Sequence, residues 1–303
     1  MIRGRYAPSP TGPLHLGNLR TALLAWLQTR LMGGEFFLRI DDLDQPRVVT
    51  GATEQAVADL SWLGLDWDRG HQNSSDDTIA QSNRSIAYRE AFTRLKSADH
   101  LYPCTCSRKD IAEAISAPHS ENNAIYPGTC RNKRSIDSRK EYAWRFKTDG
   151  IHISFDDQLV GPVNQKLSDD VGDFVVQRKD GLFAYHLATV VDDHMMGVTD
   201  VVRGRDLLSS TPRQIALCKS LGLNTPRFWH VPLMLDESGN RMAKRILSES
   251  LAPLRQAGVR PESVVARLAE SCGLTDSREP ISCRELLEDL TIEEFKLRLT
   301  NSA

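Results

Sequence analysis

The sequence predicts an α/β fold with a doubly wound parallel sheet, and three features near its start support that prediction. Residues 2–7 are predicted to form a short strand, and residues 8–13, with three prolines and a glycine, cannot form a helix. Apolar residues then recur every three or four positions from 16 to 31, as on the buried face of a helix. An apolar run at residues 36–40 is typical of a buried parallel strand. This alternation is the pattern of a doubly wound sheet.

The alternation continues and is then interrupted. Gly33 and Gly34 are expected to end the first helix, and apolar residues at 56, 57, 60 and 63 predict a second helix that Gly64 closes. From about residue 97 the sequence becomes irregular, contains cysteines and has only short predicted strands. At residues 183–191 an apolar run typical of a strand returns. The sequence therefore predicts a sheet-forming domain that is interrupted by an insertion.

The last part of the chain has the pattern of short helices. Pro261 fits a first helical position, and residues 282–285 and 291–294 each fit a capping box. We therefore expect four segments: residues 1–96 and 183–245 as the two halves of the sheet-forming domain, residues 97–182 as an inserted α+β subdomain, and residues 246–303 as a helical C-terminal region without an anticodon-binding domain.

Composition narrows the class of protein. The 303-residue chain has a formal net charge of -2, so contacts with nucleic acid would depend on local basic patches. No apolar run approaches the ~20 residues of a membrane span. The N-terminus also lacks the apolar segment of a secretory signal. We therefore expect a cytoplasmic protein, and a monomer.

The loop between the first strand and the first helix, residues 8–18 (PSPTGPLHLGN), is a candidate phosphate-binding loop. In a doubly wound sheet this loop leads into a helix N-terminus with free N–H groups. Gly12 and Gly17 allow a ligand to approach the backbone closely, and His15 and Asn18 add polar atoms. The loop matches neither a G-x-G-x-x-G nor a Walker A pattern. Taken alone, it is equally compatible with a proline-rich turn in which a histidine caps the helix.

Residues 8–18 resemble the HIGH signature of class I aminoacyl-tRNA synthetases, in the form found in glutamyl- and glutaminyl-tRNA synthetases. Residues 241–245 (RMAKR) are similar to the KMSKS loop of the family, with Arg241 in place of its first lysine and Ala243 in place of its serine. The length of the chain resembles that of truncated members, which attach glutamate to the queuosine base of tRNA(Asp). The further blocks occur in the order of the family: residues 39–44 (RIDDLD), 191–207 (VDDHMMGVTDVVRGRDL) and 241–245 (RMAKR).

The resemblance implies activation of glutamate by ATP and Mg²⁺, with His15 and Lys244 as catalytic residues. The α-carboxylate of glutamate would attack the α-phosphorus of ATP, so catalysis would consist of positioning and of electrostatic stabilisation of phosphate. Asp41 matches a position at which the family usually has a glutamic acid residue, whose side chain is one methylene longer. The resemblance assigns two sets of contacts: His15, Gly17, Asn18 and Lys244 for ATP, and Arg5, Ala7, Ser9, Asp41, Tyr185 and Arg203 for glutamate.

Cys104, Cys106 and Cys130 form a candidate structural zinc site, with one Zn²⁺ per chain. Three thiolates supply most of a tetrahedral shell, and clustered cysteines in a chain without an export signal indicate metal more than disulfides. The resemblance implies Tyr126 as the fourth ligand, whereas general zinc chemistry favours His119. Three reduced, buried cysteines without metal are the alternative. The other three cysteines are expected to be small buried hydrophobic residues.

Seven basic residues directly follow this cluster and are candidates for contacts with the phosphates of an RNA stem. A solvated basic face is the alternative for any one of them. Three functions stay open at this point: glutamylation of queuosine in tRNA(Asp), charging of the tRNA 3′ end by a truncated glutamyl- or glutaminyl-tRNA synthetase, and noncatalytic binding of glutamate or nucleotide. The basic residues are Arg131, Lys133, Arg134, Arg139, Lys140, Arg145 and Lys147.

Overall fold

The computed structural model describes residues 1–71, 80–107, 109–111, 125–133, 141–234 and 250–302. The described strands are β1 Arg3–Tyr6, β2 Glu35–Leu38, β3 Arg69–Gly70, β4 Leu101–Cys104, β5 Ala143–Phe146, β6 His152–Asp157, β7 Gly161–Lys166, β8 Phe174–Gln177, β9 Asp200–Gly204 and β10 Arg227–Val231. The described helices are α1 Leu16–Leu31, α2 Ala52–Trp62, α3 Ser85–Ser97, α4 Leu167–Asp170, α5 Tyr185–Met195, α6 Thr211–Leu221, α7 Leu251–Gln256, α8 Pro261–Glu270, α9 Cys283–Glu288 and α10 Ile292–Asn301.

A parallel sheet is the centre of the fold. Strands β1, β2 and β3 pair in parallel, as do β9 and β10. The two groups meet where the Thr199 main-chain N–H donates to the Arg3 carbonyl at 2.9 Å. Arg3 is the first residue of β1 and Thr199 directly precedes β9, so the two groups adjoin at the start of these strands. The order β3-β2-β1-β9-β10 contains the predicted parallel sheet.

Two hydrophobic clusters cover the two faces of this sheet. Val202 and Trp229 point into a cluster that contains α1, α2 and the C-terminal helices α8 to α10. Val201 and Phe228, one position away on the same strands, belong to a second cluster with α3, α5 and α6. This alternation follows from the period of two in a strand. Both faces of the sheet therefore carry apolar residues, and helices cover both.

The predicted helices α1 and α2 and the predicted strands β1 and β2 are confirmed. The prediction of a strand over residues 183–191 is wrong, because Tyr185–Met195 forms helix α5. Its buried residues run from Leu187 to Asp193, and the apolar ones among Leu187–Val191 belong to the second cluster. A short apolar run has too few residues to distinguish a buried helix from a strand by its periodicity.

The region predicted as an insertion contains antiparallel strands. Strands β4, β5 and β8 form one sheet, and β6 and β7 form a hairpin. Phe146 and Val176 of the first sheet share the second hydrophobic cluster with α5 and α6. The hairpin reaches the parallel sheet, since the Gln158 N–H donates to the Phe228 carbonyl at 2.9 Å. The four segment boundaries given above stay a prediction.

The C-terminal helices pack on α1. Both capping boxes are confirmed, with Ser282 and Thr291 as N-caps, and Pro261 is the first residue of α8. Arg20 of α1 is buried and donates to the Ser271 carbonyl at 3.2 Å. The scattered cysteines Cys218, Cys272 and Cys283 are buried, as predicted. Among the described residues, no helix is long and apolar enough to cross a membrane.

Candidate active site

The carboxyl ends of β1, β2 and β9 bring most of the predicted glutamate-binding residues to one edge of the sheet. Ala7 and Ser9 follow β1, Asp41 follows β2, and Arg203 lies in β9. The Asp41 N–H donates to the Pro8 carbonyl at 3.0 Å, which holds the β2 exit against the loop after β1. Ligand sites of open α/β sheets occur at this edge.

His15 is the N-cap of α1 at the same edge. Its Nδ1 accepts from the Asn18 N–H at 3.3 Å, and the Asn18 Oδ1 accepts from the His15 N–H at 3.3 Å. A side chain at Gly17 would approach the His15 ring to 3.2 Å, so a glycine here leaves the imidazole its place. The exposed His15 therefore caps the helix and is also held at its positive end, where phosphate binds favourably.

A buried ion-pair network lies beneath this edge, with Asp193 of α5 at its centre. Arg39 donates from Nη1 to Asp193 Oδ1 at 2.6 Å and from Nε to Asp41 Oδ1 at 2.7 Å. Arg5 donates from Nε to Asp193 Oδ1 at 3.2 Å. Arg39 is fully buried, and its three aspartate neighbours keep the pKa of its guanidinium well above the ordinary value despite its desolvation.

The neighbouring Asp192 extends the network to α3. It is fully buried and accepts from Arg84 Nε at 2.6 Å, Gln81 Nε2 at 2.8 Å and Tyr88 Oη at 2.9 Å. Burial raises the pKa of Asp192, while the nearby Arg39 and Arg84 oppose that shift. The sequence prediction did not assign Arg39, Asp192 or Asp193 to the site. The feature of the sequence that could have identified them is a charged residue directly after an apolar run or within one.

Asp41 has the most readily titrated carboxyl of this network. Burial raises its pKa to about 6, although the charge and hydrogen bond of Arg39 pull it down. A carboxylate at this position is therefore present above that pH and is lost below it. The Arg39 Nη2 nitrogen beside it is buried and makes no hydrogen bond with any described residue.

Arg203 differs from Arg5 and Arg39 because no carboxylate of the described residues forms an ion pair with it. Its Nε donates to His230 Nε2 at 3.1 Å and its Nη2 to Thr211 Oγ1 at 2.6 Å. Its Nη1 is buried without a well-formed hydrogen bond to a described residue. Burial lowers the pKa of the Arg203 guanidinium, and the nearby Tyr185 side chain, which is 40% exposed, opposes that shift.

Lys244 and the rest of the RMAKR segment lie outside the described residues. Strand β10 ends at Val231, at the same edge of the sheet. The Pro232 carbonyl accepts from Arg20 Nη2 of α1 at 2.5 Å. The residue directly after β10 is therefore attached to the helix that His15 caps.

The three predicted cysteine ligands converge. Cys104, Cys106 and Cys130 have sulfur atoms that all lie within 4.8 Å of one another. The Tyr126 hydroxyl is 3.3 Å from Cys104 Sγ and 3.7 Å from Cys106 Sγ, and it accepts from the Cys130 N–H at 2.8 Å. His119 lies outside the described residues.

These separations fit a tetrahedral metal shell. With Zn–S of ~2.3 Å and Zn–O of ~2.0 Å, two sulfurs should be ~3.8 Å apart and a sulfur and an oxygen ~3.5 Å apart. The Cys106 and Cys130 sulfurs are 3.6 Å apart, and both Tyr126 distances bracket the second value. The set of three thiols and a phenol is therefore compatible with a bound metal ion.

Most of the described residues in the predicted basic run are paired within the protein. Arg131 forms ion pairs with Asp173 and Asp149. Arg145 is buried and lies 3.9 Å from the centre of the Tyr126 ring. Lys147 pairs with Asp99. Arg131 and Arg145 therefore brace the cysteine cluster, and Arg134, Arg139 and Lys140 lie outside the described residues.

The site and fold place the chain in a known class. Residues 1–297 match the family described as "tRNA synthetases class I (E and Q), catalytic domain", and the chain belongs to that family. Within it, the chain is 48% identical over 297 residues to the glutamyl-Q tRNA(Asp) synthetase of Symbiobacterium thermophilum, covering 95% of this chain and 91% of the relative. The protein of the same name from Deinococcus radiodurans is 46% identical, with 94% and 95% covered. The chain is thus a member of the glutamyl-Q tRNA(Asp) synthetase group.

Solved structures agree with this assignment. The glutamate-tRNA synthetase of Elizabethkingia anophelis superposes with a TM-score of 0.84 at 27% identity, over 97% of this chain. A glutamate tRNA ligase from Elizabethkingia meningosepticum in complex with its amino acid gives a TM-score of 0.83 at 27% identity, also over 97% of this chain. This chain spans 66% and 65% of those two proteins.

The buried position of Asp192 leads to a prediction about stability. Asp192→Ala removes the buried carboxylate that accepts from Arg84, Gln81 and Tyr88, so we expect the free energy of unfolding to fall by about 3–5 kcal/mol. Urea unfolding measures the loss. Asp169→Ala is the control, because its pair with Lys166 is exposed and should contribute under about 0.5 kcal/mol. Equal losses in the two variants would contradict a structural role for the Asp192 network.

Proposed function

We propose that this protein activates L-glutamate with ATP to form glutamyl-adenylate, without needing tRNA, and transfers the glutamyl group to the queuosine base of tRNA(Asp). The observation that carries the first step is the arrangement at the carboxyl edge of the sheet. Two buried guanidinium nitrogens, Arg39 Nη2 and Arg203 Nη1, make no well-formed hydrogen bond with a described residue, and the Asp41 carboxyl lies beside the first. Glutamate, with two carboxylates and one ammonium, supplies the complementary charges.

Glutamate recognition divides between these groups. Asp41 accepts from the ammonium, and Arg203 and Tyr185 bind a carboxylate. Arg5 faces the other carboxylate, while its pairing with Asp193 fixes its direction. Ala7 and Ser9 contact the amino acid along the loop after β1. The complex of the Elizabethkingia meningosepticum glutamate tRNA ligase with its amino acid supports an amino-acid site in this fold.

ATP binds over the N-terminus of α1, with Gly17 and Asn18 against its phosphates. The glutamate α-carboxylate attacks the α-phosphorus and pyrophosphate leaves, so no nucleophile of the protein is required. His15 donates a hydrogen bond to phosphate oxygen, and Lys244 stabilises charge that accumulates on the pyrophosphate side. Mg²⁺ held by the phosphates neutralises the remaining negative charge when ATP is bound.

The acceptor is proposed from the relatives. The proteins from Symbiobacterium thermophilum and Deinococcus radiodurans are named for glutamyl-Q and tRNA(Asp), and identity of 46–48% extends over almost the whole chain. The cyclopentene diol of queuosine has vicinal hydroxyls like those of a terminal ribose. A hydroxyl of this diol attacks the adenylate carbonyl carbon, forms an ester and releases AMP.

A structural Zn²⁺ is proposed at the cysteine cluster, held by Cys104, Cys106, Cys130 and Tyr126. Support comes from the spacing of the four ligand atoms and from their attachment to β4 and to the loop that contains Arg131. The ion links these two segments and takes no part in the chemistry at the sheet edge. Zinc sites of this kind stabilise regions with a small hydrophobic core.

Glutamate activation predicts pyrophosphate exchange in the absence of RNA. We expect glutamate-dependent exchange with the purified protein, and we expect Lys244→Ala to lower kcat about 10²–10³-fold with little change in glutamate binding, because Lys244 acts on transition-state charge. Lys219→Ala, on the exposed side of α6, is the control. No exchange without RNA contradicts tRNA independence, and an unchanged Lys244→Ala variant contradicts its catalytic role.

The pKa of Asp41 predicts a pH dependence. Because the carboxylate form is lost as pH falls through about 6, kcat/KM for glutamate should fall about tenfold per pH unit below that value. The exchange assay between about pH 5 and 8 measures this profile. Asp41→Asn should lower kcat/KM at neutral pH and remove this dependence. A variant profile that is parallel to that of the unmodified protein would exclude Asp41 as the ammonium partner.

Metal analysis tests the zinc proposal. We expect one zinc per chain in reduced protein, and its loss in Cys106→Ser, because three ligands hold zinc less tightly than four. Cys218→Ser, which alters a buried cysteine outside the cluster, should keep the metal. Tyr126→Phe should weaken retention. Full retention in that variant together with loss in His119→Ala would give the fourth position to His119.

Labelling of tRNA tests the acceptor. We expect radioactive glutamate to be transferred to tRNA(Asp) that carries queuosine, and not to tRNA(Asp) without it or to tRNA(Glu), because only the first presents the diol. Nuclease digestion should locate the label in the anticodon loop. Labelling of tRNA(Glu) alone, or at a 3′ terminal adenosine, would identify the chain as a truncated synthetase that charges the tRNA 3′ end. Exchange activity with no transfer to any tRNA would contradict the acceptor step alone.

A further inference from the structure

A chain of buried hydrogen bonds runs from Arg203 away from the sheet edge. Arg203 Nε donates to His230 Nε2 at 3.1 Å, and His230 Nδ1 is 2.6 Å from Asp157 Oδ2. Asp157, His230 and Arg203 are 3%, 1% and 4% exposed, so water does not replace these contacts. Asp157 ends β6, in the hairpin, whereas the other two lie on the parallel sheet.

The network fixes the state of the imidazole. His230 Nε2 accepts from Arg203, so it carries no proton, and Nδ1 donates to Asp157. Burial and the charge of Arg203 lower the pKa of His230, against the opposing effect of Asp157. The imidazole is therefore neutral and has one orientation. Thr211 Oγ1 completes the set, 3.0 Å from His230 Nε2 and 2.6 Å from Arg203 Nη2.

We infer that Asp157 and His230 are positioning residues for glutamate recognition by Arg203, an inference that rests on the proposed function. A carboxylate in direct contact with Arg203 would orient it but would also offset its charge, as Asp193 does in part for Arg5 and Arg39. A neutral imidazole holds the guanidinium by a hydrogen bond and leaves its charge for the substrate. The carboxylate of Asp157 contacts His230 and not Arg203, and it fixes the tautomer of the imidazole.

Asp157→Asn is an informative substitution because the backbone determines how the new amide lies. Asp157 Oδ1 accepts from the N–H groups of Leu159 and Val160, each at 3.0 Å, and from the His230 N–H at 3.3 Å. The amide oxygen must occupy that position, so the amide NH₂ faces His230 Nδ1. The imidazole proton then moves to Nε2, where it opposes the Arg203 N–H.

The test measures KM for glutamate and for ATP, together with kcat, by pyrophosphate exchange with the full chain. Asp157→Asn should raise KM for glutamate about ten- to a hundredfold, the effect of losing a hydrogen bond to a charged group, and leave KM for ATP unchanged. The matched control is Asp200→Asn, a fully buried aspartate at the opposite end of β9 that binds Trp229 and Arg227. It should alter neither KM.

Two outcomes would overturn the inference. One is an unchanged KM for glutamate in Asp157→Asn. The other is that KM for glutamate and KM for ATP rise equally, and by the same factor in Asp157→Asn as in Asp200→Asn. If Asp157→Asn does not fold, Thr211→Val, which keeps the packing, should raise only KM for glutamate. The ¹⁵N spectrum of histidine-labelled protein reports His230 directly. A neutral Nδ1–H tautomer at neutral pH is expected, and any other form refutes the inference. This measurement needs no activity, so a protein without exchange would reject the proposed function and still test the positioning chain.

Discussion

Three guanidinium groups and three carboxylates are buried together at the carboxyl edge of the parallel sheet, and their charges compensate one another there. They belong to Arg5, Arg39, Arg84, Asp41, Asp192 and Asp193. Desolvation of a charge is costly, and an unpaired buried charge is costlier still. Arg39 pairs with Asp41 and Asp193, Arg84 pairs with Asp192, and these contacts bring β2, α3 and α5 to one place. The geometry of the site depends on this requirement.

The arginines of the site have different partners, and this difference has a chemical consequence. Arg5 and Arg39 share Asp193, so much of their charge is balanced within the protein. Arg203 is held by His230 and Thr211, neither of which is an anion in the inferred state. The site thus combines rigid, compensated groups with one cation whose charge is directed to a ligand. Such an arrangement is prepared for an anionic substrate before it binds.

Local patterns in the sequence predicted much of this protein. The loop with His15, both capping boxes and the convergence of Cys104, Cys106 and Cys130 follow from spacing over a few residues or from cysteine chemistry. Helix α5 was mistaken for a strand because its apolar residues form a short run without a clear period. The omissions have a different cause, since the deciding contacts join residues that are far apart in the chain.

The ion-pair network illustrates that limit. Arg39 and Asp193 are separated by 154 positions, and His230 and Asp157 by 73. Nothing in the local sequence of either residue identifies its partner. Arg131 and Arg145 appeared to be candidates for binding RNA because their charge was visible in the sequence, whereas their contact with Asp173 was not. Composition counts charges, but only the fold determines which of them are available.

The most direct test of this glutamate site is a crystal structure of the protein with a non-hydrolysable analogue of glutamyl-adenylate. We expect the ammonium of the glutamyl group within hydrogen-bonding distance of Asp41. Its side-chain carboxylate should contact the arginines of the site, and its adenosine should lie over the N-terminus of α1 beside His15. The Arg203 guanidinium should keep its contact with His230 in the complex. An analogue bound away from this edge of the sheet, or with its ammonium remote from Asp41, would contradict the claim that the buried charge network forms a glutamate site.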